Sequence, residues 1–262
     1  ALDSLLRSLT LGHGAVVLGP GGIGKSRLLA EAALRHGPAL VTGARPGDAQ
    51  RPGALVARLV ATALRDFEPA LEPAVMSDLA RLLPPAHGQP PPAEQKSALE
   101  HRRVLSAVTR ALQACHALGP QRGMRMIVVD DLQFADDASL EALQVLVGAW
   151  LARPPEAAAP ALLGARGDEL APAAAALVEL LGRSGRAARL ELLPLELPQV
   201  RALLDSVALP GSPPTAELAA ALHAQVGGNP GFVLESLKSL WLDGLRNWTP
   251  GGLVPVPPTL LE

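Results

Sequence analysis

Aromatic residues are scarce in this sequence, and their scarcity limits what a folded core can be made of. Tyrosine is absent, and Phe and Trp contribute three residues each, so aromatics make up 2% of the 262 residues. Hydrophobic residues still account for 48%, which is enough for a sizeable buried core. We therefore expect a core of mainly Leu, Val and Ala, in one large or two small domains.

Cysteine is almost missing as well. Because Cys115 is the single cysteine, an internal disulfide is excluded and the sequence suits a reducing compartment, so we predict a cytoplasmic location. The adjacent His116 would form a Cys-His pair, but no histidine stands at metal-ligand spacing from another suitable side chain. Both residues are therefore predicted to be ordinary helix residues.

Strong charge and long apolar runs are also lacking. The 23 basic and 25 acidic residues leave a net charge of −2, unlike the basic surface that is typical of nucleic-acid-binding domains. No apolar run approaches the roughly 18 residues of a membrane span, and no signal peptide is visible. We predict neither direct nucleic-acid contact nor a membrane partner. The sequence starts without methionine and stops abruptly, so we expect it to be part of a longer chain.

What the sequence does contain is a glycine-rich phosphate-binding pattern after a short apolar run. The pattern G-x-x-x-x-G-K-[ST] is matched by Gly19, Pro20, Gly21, Gly22, Ile23, Gly24, Lys25 and Ser26. Glycines permit close backbone approach, successive N–H groups bind anions, and the next helix offers its positive N-terminus. Lys25 is predicted to reach the β- and γ-phosphates and Ser26 to ligate Mg²⁺, with Arg27 as a further nucleotide contact.

The alternative for this loop is a glycine-rich turn that merely joins a strand to a helix. The chain has only three lysines, and one of them falls at the required position of the pattern. The flanking strand-like and helix-like runs also match the context that phosphate binding needs. We therefore favour the phosphate-binding interpretation.

A second informative stretch runs from Met124 to Asp131, where a buried strand is predicted to end in two carboxylates. In open α/β sheets, ligands bind at the carboxyl ends of the strands. Asp130 would hold Mg²⁺ through water, and Asp131 would orient or deprotonate the attacking water, as in a Walker B element. Taken alone, an Asp-Asp pair can equally begin a turn, but the phosphate-binding pattern upstream favours the catalytic interpretation.

The apolar patterning predicts an α/β P-loop NTPase fold followed by a small helical lid. Five strands with helical crossovers imply a five-stranded parallel sheet covered on both faces, for which we predict the order 5-1-4-3-2. The strands are predicted at 15–19, 39–43, 124–131, 160–166 and 187–192. Helices are predicted at 2–9, 24–36, 53–66, 72–83, 93–118, 138–152, 172–182, 197–207, 214–225 and 231–243. We divide the chain into a nucleotide-binding domain (1–194), a lid (195–245) and a linker (246–262).

For three other features, the neighbouring sequence alone does not decide between a structural and a functional interpretation. Asp136 or Asp137 is favoured as the cap of helix 138–152 rather than as a catalytic residue. Arg166 follows a predicted strand and could meet the γ-phosphate, although a solvated or salt-bridged arginine is the commoner case. The segment from Gly227 to Gly231 fits a helix end followed by a helix that begins with proline.

With these elements in order, the chain resembles the signal-transduction ATPases with numerous domains, the STAND class of the AAA+ group. The segment 19–26 resembles the family's phosphate loop, and 128–136 its Walker B and following signature, with Phe134 in place of the usual tryptophan. Residues 165–169 resemble the sensor-1 strand end. Gly228-Asn229-Pro230 resembles the family's Gly-x-Pro motif. The regulators most similar in pattern are of the maltose-activator, large LuxR-type and cyclase-linked kinds.

The resemblance implies a switch that is controlled by ATP and ADP with Mg²⁺. Arg166 is then expected to sense the γ-phosphate and Pro230 to lie against adenine. Turnover would be slow, the ATP form could self-associate, and other domains of the same longer chain would supply signalling or transcription-regulating output. The family's Gly-Arg-Glu segment before the first helix and its winged-helix domain are not in this sequence, which leaves signal input and output without support.

Three alternatives remain at this point. The chain could be a nucleotide-binding scaffold without meaningful hydrolysis, although the presence of both Asp130 and Asp131 makes this alternative less favoured. It could be a P-loop kinase for a small metabolite, although the helical lid with Gly-Asn-Pro suits AAA+ modules better. A DNA-remodelling AAA+ protein is disfavoured by the near-neutral charge.

Overall fold

A computed structural model describes most of the chain. It covers residues 2–83, 98–119, 121–154, 159–167, 170–207 and 215–242. The predicted linker 246–262 and the start of the predicted helix 93–118 lie outside the described residues, as do Asp168 and Glu169. The chain divides into two compact units, one of residues up to 18 and from 25 to 191, the other of the loop 19–24 and residues from 192 on.

The first unit is organised around a five-stranded sheet whose strands are each five residues long. All neighbouring strands are parallel, and their order, β2-β3-β4-β1-β5, is the predicted order read from the other edge. The strands are β1 (Gly14–Leu18), β2 (Ala39–Gly43), β3 (Met126–Asp130), β4 (Ala161–Ala165) and β5 (Ala187–Glu191). Since parallel strands need crossover connections, helices must cover the faces of the sheet.

In the described part of this unit, seven α-helices surround the sheet. They are α1 (Leu2–Thr10), α2 (Lys25–His36), α3 (Ala54–Phe67), α4 (Pro73–Leu79), α5 (Ala98–Ala117), α6 (Asp137–Leu151) and α7 (Pro172–Arg183). Leu163 and Ala165 of β4 pack in one core cluster with α6 and α7, whereas Gly164 between them faces Leu29 of α2. This alternation places α2 on the opposite face of the sheet from α6 and α7.

Helix α4 is shorter than predicted, because it ends at Leu79 rather than at residue 83. Turns follow, in which the Leu82 N–H donates to the Leu79 carbonyl at 2.9 Å. Leu83 precedes a proline, and the residue before proline is disfavoured in helical geometry. The sequence-based prediction extended the helix up to the proline and missed this restriction.

Asp136 caps α6, as predicted for one of the two adjacent aspartates, and it also ties α6 to α3. Its Oδ1 accepts from the Ser139 N–H at 2.9 Å and from the Gly53 N–H at 2.7 Å. Gly53 directly precedes α3 and has no side chain that could cap this helix. The Ser139 hydroxyl therefore accepts from the Val56 N–H at 3.2 Å and supplies the missing cap from the neighbouring helix.

The described residues of the second unit form three helices with their own apolar core: α8 (Leu197–Val207), α9 (Thr215–Val226) and α10 (Pro230–Leu242). Buried Leu and Val side chains of all three helices pack together. Gly227 and Gly228 end α9 with φ angles of 67° and 78°, as helix-terminating glycines do. The Leu195 N–H donates to the Gly228 carbonyl at 2.8 Å and fixes the segment that enters α8.

Within the described ranges, no helix combines the length and the apolar character that crossing a membrane requires.

Candidate functional site

Four predicted site residues lie at the carboxyl ends of the central strands or where a crossover helix begins. β1, β4 and β3 are parallel neighbours, so their carboxyl ends share one edge of the sheet. Asp130 ends β3, and Arg166 follows the last residue of β4. Lys25 begins α2 and is only 5% exposed, whereas Ser26 is exposed.

Asp130, Asp131, Gln133 and Arg166 form a hydrogen-bonded group that we call the acidic cluster. The Asp131 N–H donates to Asp130 Oδ1 at 2.8 Å, and Gln133 Nε2 donates to Asp131 Oδ1 at 2.8 Å. Gln133 Oε1 in turn accepts from the Arg166 N–H at 3.1 Å. The Gln133 amide thus links the carboxylate that follows β3 to the end of β4.

Asp131 lies just beyond the strand, in an unusual backbone conformation. Its φ of 57° and ψ of 42° are left-handed, and such a conformation is costly for a residue with a Cβ, although Asp tolerates it better than most. A short 3₁₀ turn, Leu132–Phe134, follows at once. Strain of this kind persists where surrounding contacts fix it, and it is common at functional sites.

The Arg166 side chain lies against the aromatic residue of the signature segment. Its guanidinium carbon is 5.8 Å from the centre of the Phe134 ring, within the range of a cation–π contact. Phe134 therefore provides an aromatic face for this arginine.

A glycine on the neighbouring strand makes room for Asp130. A Cβ added at Gly164 would collide with Asp130 Oδ1 and would come within 2.7 Å of Leu29 Cδ1. Any larger residue at this position must therefore displace the Asp130 carboxylate and the end of the Leu29 side chain. Sequence-based reasoning missed Gly164, although a glycine inside a buried strand is itself a signal of close approach.

The phosphate loop is held by the start of α10, which belongs to the same compact unit. Gly22 and Gly24 have φ angles of 74° and 104°, which favour glycine. Asn229 Nδ2 donates to the Gly21 carbonyl at 2.8 Å, and the Gly231 N–H donates to the Gly22 carbonyl at 2.9 Å. Sequence reasoning had singled out Pro230 in this segment and had not assigned a role to Asn229.

Pro230 is the first residue of α10, as predicted for a helix that begins with proline, and it is half-buried. Arg27, by contrast, extends from α2 with a side chain that is 86% exposed, 3.8 Å from Glu31. Contacts of either residue with a nucleotide stay predictions.

The oxygen ligands at the sheet edge fit magnesium chemistry. Mg²⁺ is commonly held by one or two carboxylates or hydroxyls together with substrate phosphates and water. Asp130 ends β3 half-buried, and the hydroxyl of Ser26 is exposed; these are the residues that would hold the ion. Among the described residues, no group of three or more His, Cys, Asp or Glu could hold a metal ion by itself.

A cavity of about 70 Å³ lies elsewhere in the first unit, between α5 and α6. His116 and Trp150 are among its lining residues, and none of the predicted site residues is. Cys115, next to His116, is a buried helix residue whose thiol contacts the Ala63 carbonyl. The prediction that these two residues belong to a helix is confirmed.

Comparisons with solved structures find two proteins with a similar fold. The ORC2 protein of Aeropyrum pernix, in its ADPNP-ADP complexes, is 14% identical with a TM-score of 0.53, and the match covers 95% of this chain and 63% of that one. Cdc6p of Pyrobaculum aerophilum is 15% identical with a TM-score of 0.52, over 94% of this chain and 61% of that one. At such identities the likeness shows the fold alone.

The chain spans less than two thirds of the length of those two structures. None of the curated proteins matches the sequence significantly. Residues 1–155, more than half of the chain, match the family model of the AAA ATPase domain. This chain therefore belongs to the AAA ATPase domain family.

Proposed function

We propose that this chain is the ATP-binding module of a regulatory switch and that it hydrolyses ATP slowly. The observation that carries the proposal is the acidic cluster, in which one carboxylate ends strand β3 and a second follows it directly. One of them, Asp131, is held by Gln133, whose amide also binds the backbone of Arg166. A nucleotide-binding turn without chemistry would not require a second, oriented carboxylate.

Each residue of the proposed site has a distinct role. Lys25 and Ser26 hold the phosphates and the metal, and Asp130 supports the metal through water. When bound, Mg²⁺ would neutralise charge on the phosphates. Asp131 orients the attacking water in line with the γ-phosphate, and Gln133 keeps the Asp131 carboxylate in place. Arg166 senses whether the γ-phosphate is present.

The switch would act through the helical second unit. The phosphate loop and Pro230 belong to this unit, so a nucleotide whose adenine lies against Pro230 would favour one arrangement of its helices. A ligand shifts a conformational equilibrium only by its difference in affinity for the two states. The γ-phosphate, sensed by Arg166, would supply that difference between ATP and ADP.

We further propose that the module serves a STAND-type regulator of signalling or transcription in the cytoplasm. Support comes from the resemblance of its signature segments to those of that class. Self-association in the ATP state and contacts with other domains of a longer chain would then convert nucleotide state into output.

The decisive experiment measures phosphate release from ATP, together with ATP and ADP affinity, for four proteins. They are the wild type, Lys25→Ala, Asp131→Asn and the control Lys238→Ala, which alters an exposed lysine paired with Glu235. We expect slow release by the wild type and the control, loss of nucleotide binding in Lys25→Ala, and binding without release in Asp131→Asn.

Other outcomes would support the competing functions. Equal background rates for the wild type and Asp131→Asn would indicate a nucleotide-binding scaffold. Stoichiometric phosphorylation of an added metabolite would indicate a kinase. Micromolar ATP affinity retained in Lys25→Ala would contradict the assignment as a whole. The nucleotide that co-purifies with the chain gives an independent check, because tightly held ADP is expected of a resting switch.

A further inference from the structure

Asn229 is a buried polar side chain that uses both ends of its amide. It is 7% exposed. Its Oδ1 accepts from the Gly231 N–H at 3.0 Å and from the Phe232 N–H at 3.4 Å, which caps α10. Its Nδ2 donates in the opposite sense, to the Gly21 carbonyl at 2.8 Å. A cap alone needs only the oxygen, so the donor end calls for a separate explanation.

The Gly21 carbonyl belongs to the same peptide group as the Gly22 N–H. In a planar trans peptide, the C=O and the N–H point in opposite directions. A donor that fixes the Gly21 carbonyl towards α10 therefore directs the Gly22 N–H away from α10. The Gly231 N–H, 2.9 Å from the Gly22 carbonyl, acts in the same way on the next peptide group of the loop.

The two glycines at this contact allow the backbones to approach closely. A Cβ added at Gly22 would lie 2.8 Å from Asn229 Oδ1, and one added at Gly231 would lie 2.9 Å from the Gly22 Cα. Real Cβ atoms do not come so close to such neighbours. Gly22 and Gly231 therefore both allow the same close contact, between the phosphate loop and the first turn of α10.

We propose that Asn229 is a positioning residue for phosphate binding. Through the Gly21 carbonyl it orients the Gly22 N–H, one of the backbone donors by which a glycine-rich loop of this pattern binds phosphates. The inference rests on the proposed nucleotide binding and extends it, since the affinity of the loop for phosphate would depend on the position of α10.

The test compares Asn229→Ser and Asn229→Asp with the wild type. Both replacements keep an oxygen that can cap α10, but neither has an amide N–H to donate to Gly21. Dissociation constants for ADP and for inorganic pyrophosphate are measured by competition against a fluorescent ADP analogue. We expect Asn229→Ser to weaken both ligands by a similar factor of about five to ten, as the loss of one buried hydrogen bond implies.

Asn229→Asp should weaken both ligands further, because its charge lies near the phosphates, and the extra loss should shrink as salt is added. Pyrophosphate is the critical probe, since it lacks the base that Pro230 is expected to contact. If Asn229 only stabilised α10, ADP affinity would fall while pyrophosphate affinity stayed at the wild-type value. That result, or unchanged affinity for both ligands, would overturn the proposal.

Two controls separate the possible failures. Leu240→Val loosens the core of the second unit at the far end of α10, where Leu240 is 4% exposed, and should leave pyrophosphate affinity within twofold of wild type. A larger loss would mean that any disturbance of α10 has the same effect, which contradicts a specific role. If Lys25→Ala binds ADP as the wild type does, the proposed function is refuted, and the role of Asn229 is refuted with it. If Lys25→Ala loses ADP binding while the Asn229 variants keep wild-type affinity for both ligands, only the role of Asn229 is refuted.

Discussion

Gln133 offers the sharpest test of whether the acidic cluster performs hydrolysis. We consider two replacements of similar size, Gln133→Leu, which removes both hydrogen bonds, and Gln133→Glu. The second keeps an oxygen that can accept from the Arg166 N–H but replaces the donor to Asp131 with a negative charge. The two variants therefore separate the loss of an orienting contact from the introduction of a like charge.

The expected magnitudes follow from the contact of 2.8 Å between Gln133 Nε2 and Asp131 Oδ1. A hydrogen bond to a charged group contributes about 1.5–3 kcal/mol net. If that energy holds Asp131 in its hydrolytic orientation, Gln133→Leu should lower kcat by about 10- to 100-fold and leave ATP affinity within about twofold. Gln133→Glu should do the same and also move the acid side of the kcat–pH profile to higher pH, because adjacent carboxylates disfavour each other's ionisation.

The assay is steady-state phosphate release over a range of pH, with ATP affinity measured separately. Gln144→Glu is the matched control, since Gln144 is a half-buried glutamine on α6 that contacts the Ala173 carbonyl at 3.4 Å. Wild-type kcat and an unshifted pH profile in Gln133→Glu would refute the reasoning. A rise in kcat in Gln133→Leu would refute it too, because Gln133 would then restrain Asp131 rather than support it.

The remaining predictions concern the stability and reactivity of the first unit. Asp136→Ala removes an oxygen that accepts two backbone N–H groups, so the free energy of unfolding should fall by about 2–4 kcal/mol, as measured by urea denaturation followed by circular dichroism. The control Asp137→Ala alters an exposed residue and should lower the free energy of unfolding by about 0.5 kcal/mol. Equal losses in the two variants would contradict the role of Asp136 in binding both N–H groups. Hydrogen bonding from Arg58 lowers the pKa of Asp48 below its ordinary value. The stability advantage of wild type over Asp48→Asn should therefore be complete above about pH 5 and disappear as the pH falls through the lowered pKa of the folded state; an advantage that persists at pH 2 would show that charge is not its source. Burial raises the pKa of Cys115 to about 11, so a thiol reagent at pH 8 should label the native protein no faster than it unfolds, whereas rapid native labelling would contradict the burial.

The sheet and its order could be predicted from the sequence because the signals are local. Most of the strands are short apolar runs next to a helical segment, and the segment from Gly19 to Ser26 has a residue pattern that itself indicates phosphate binding. The cap of α6 could also be predicted, since Asp136 stands directly before the helix that it caps. The second hydrogen bond of Asp136, from the Gly53 N–H, could not be predicted, because Gly53 is 83 residues away in the sequence.

The residues that orient the site were beyond sequence-based reasoning for the same reason. Gln133 looks like an ordinary polar residue of the signature until the end of β4 is placed beside it. Asn229 contacts a carbonyl that is 208 residues away in the chain. The locally favoured interpretation of Arg166 as a solvated arginine could be weighed only once its backbone and side chain were placed against Gln133 and Phe134.

The space beside Asp130 has a consequence for how this protein would respond to mutation. Gly164 has no functional group, and its position on β4 would suggest that alanine is a mild replacement. A full substitution scan should nevertheless find position 164 as intolerant as Asp130 itself when phosphate release is the readout, because a single methyl group would occupy the volume of the carboxylate. Hydrolysis can therefore be lost by adding a methyl group at Gly164 as readily as by removing the charge of Asp130. A search for functional residues by chemical type alone would overlook this position.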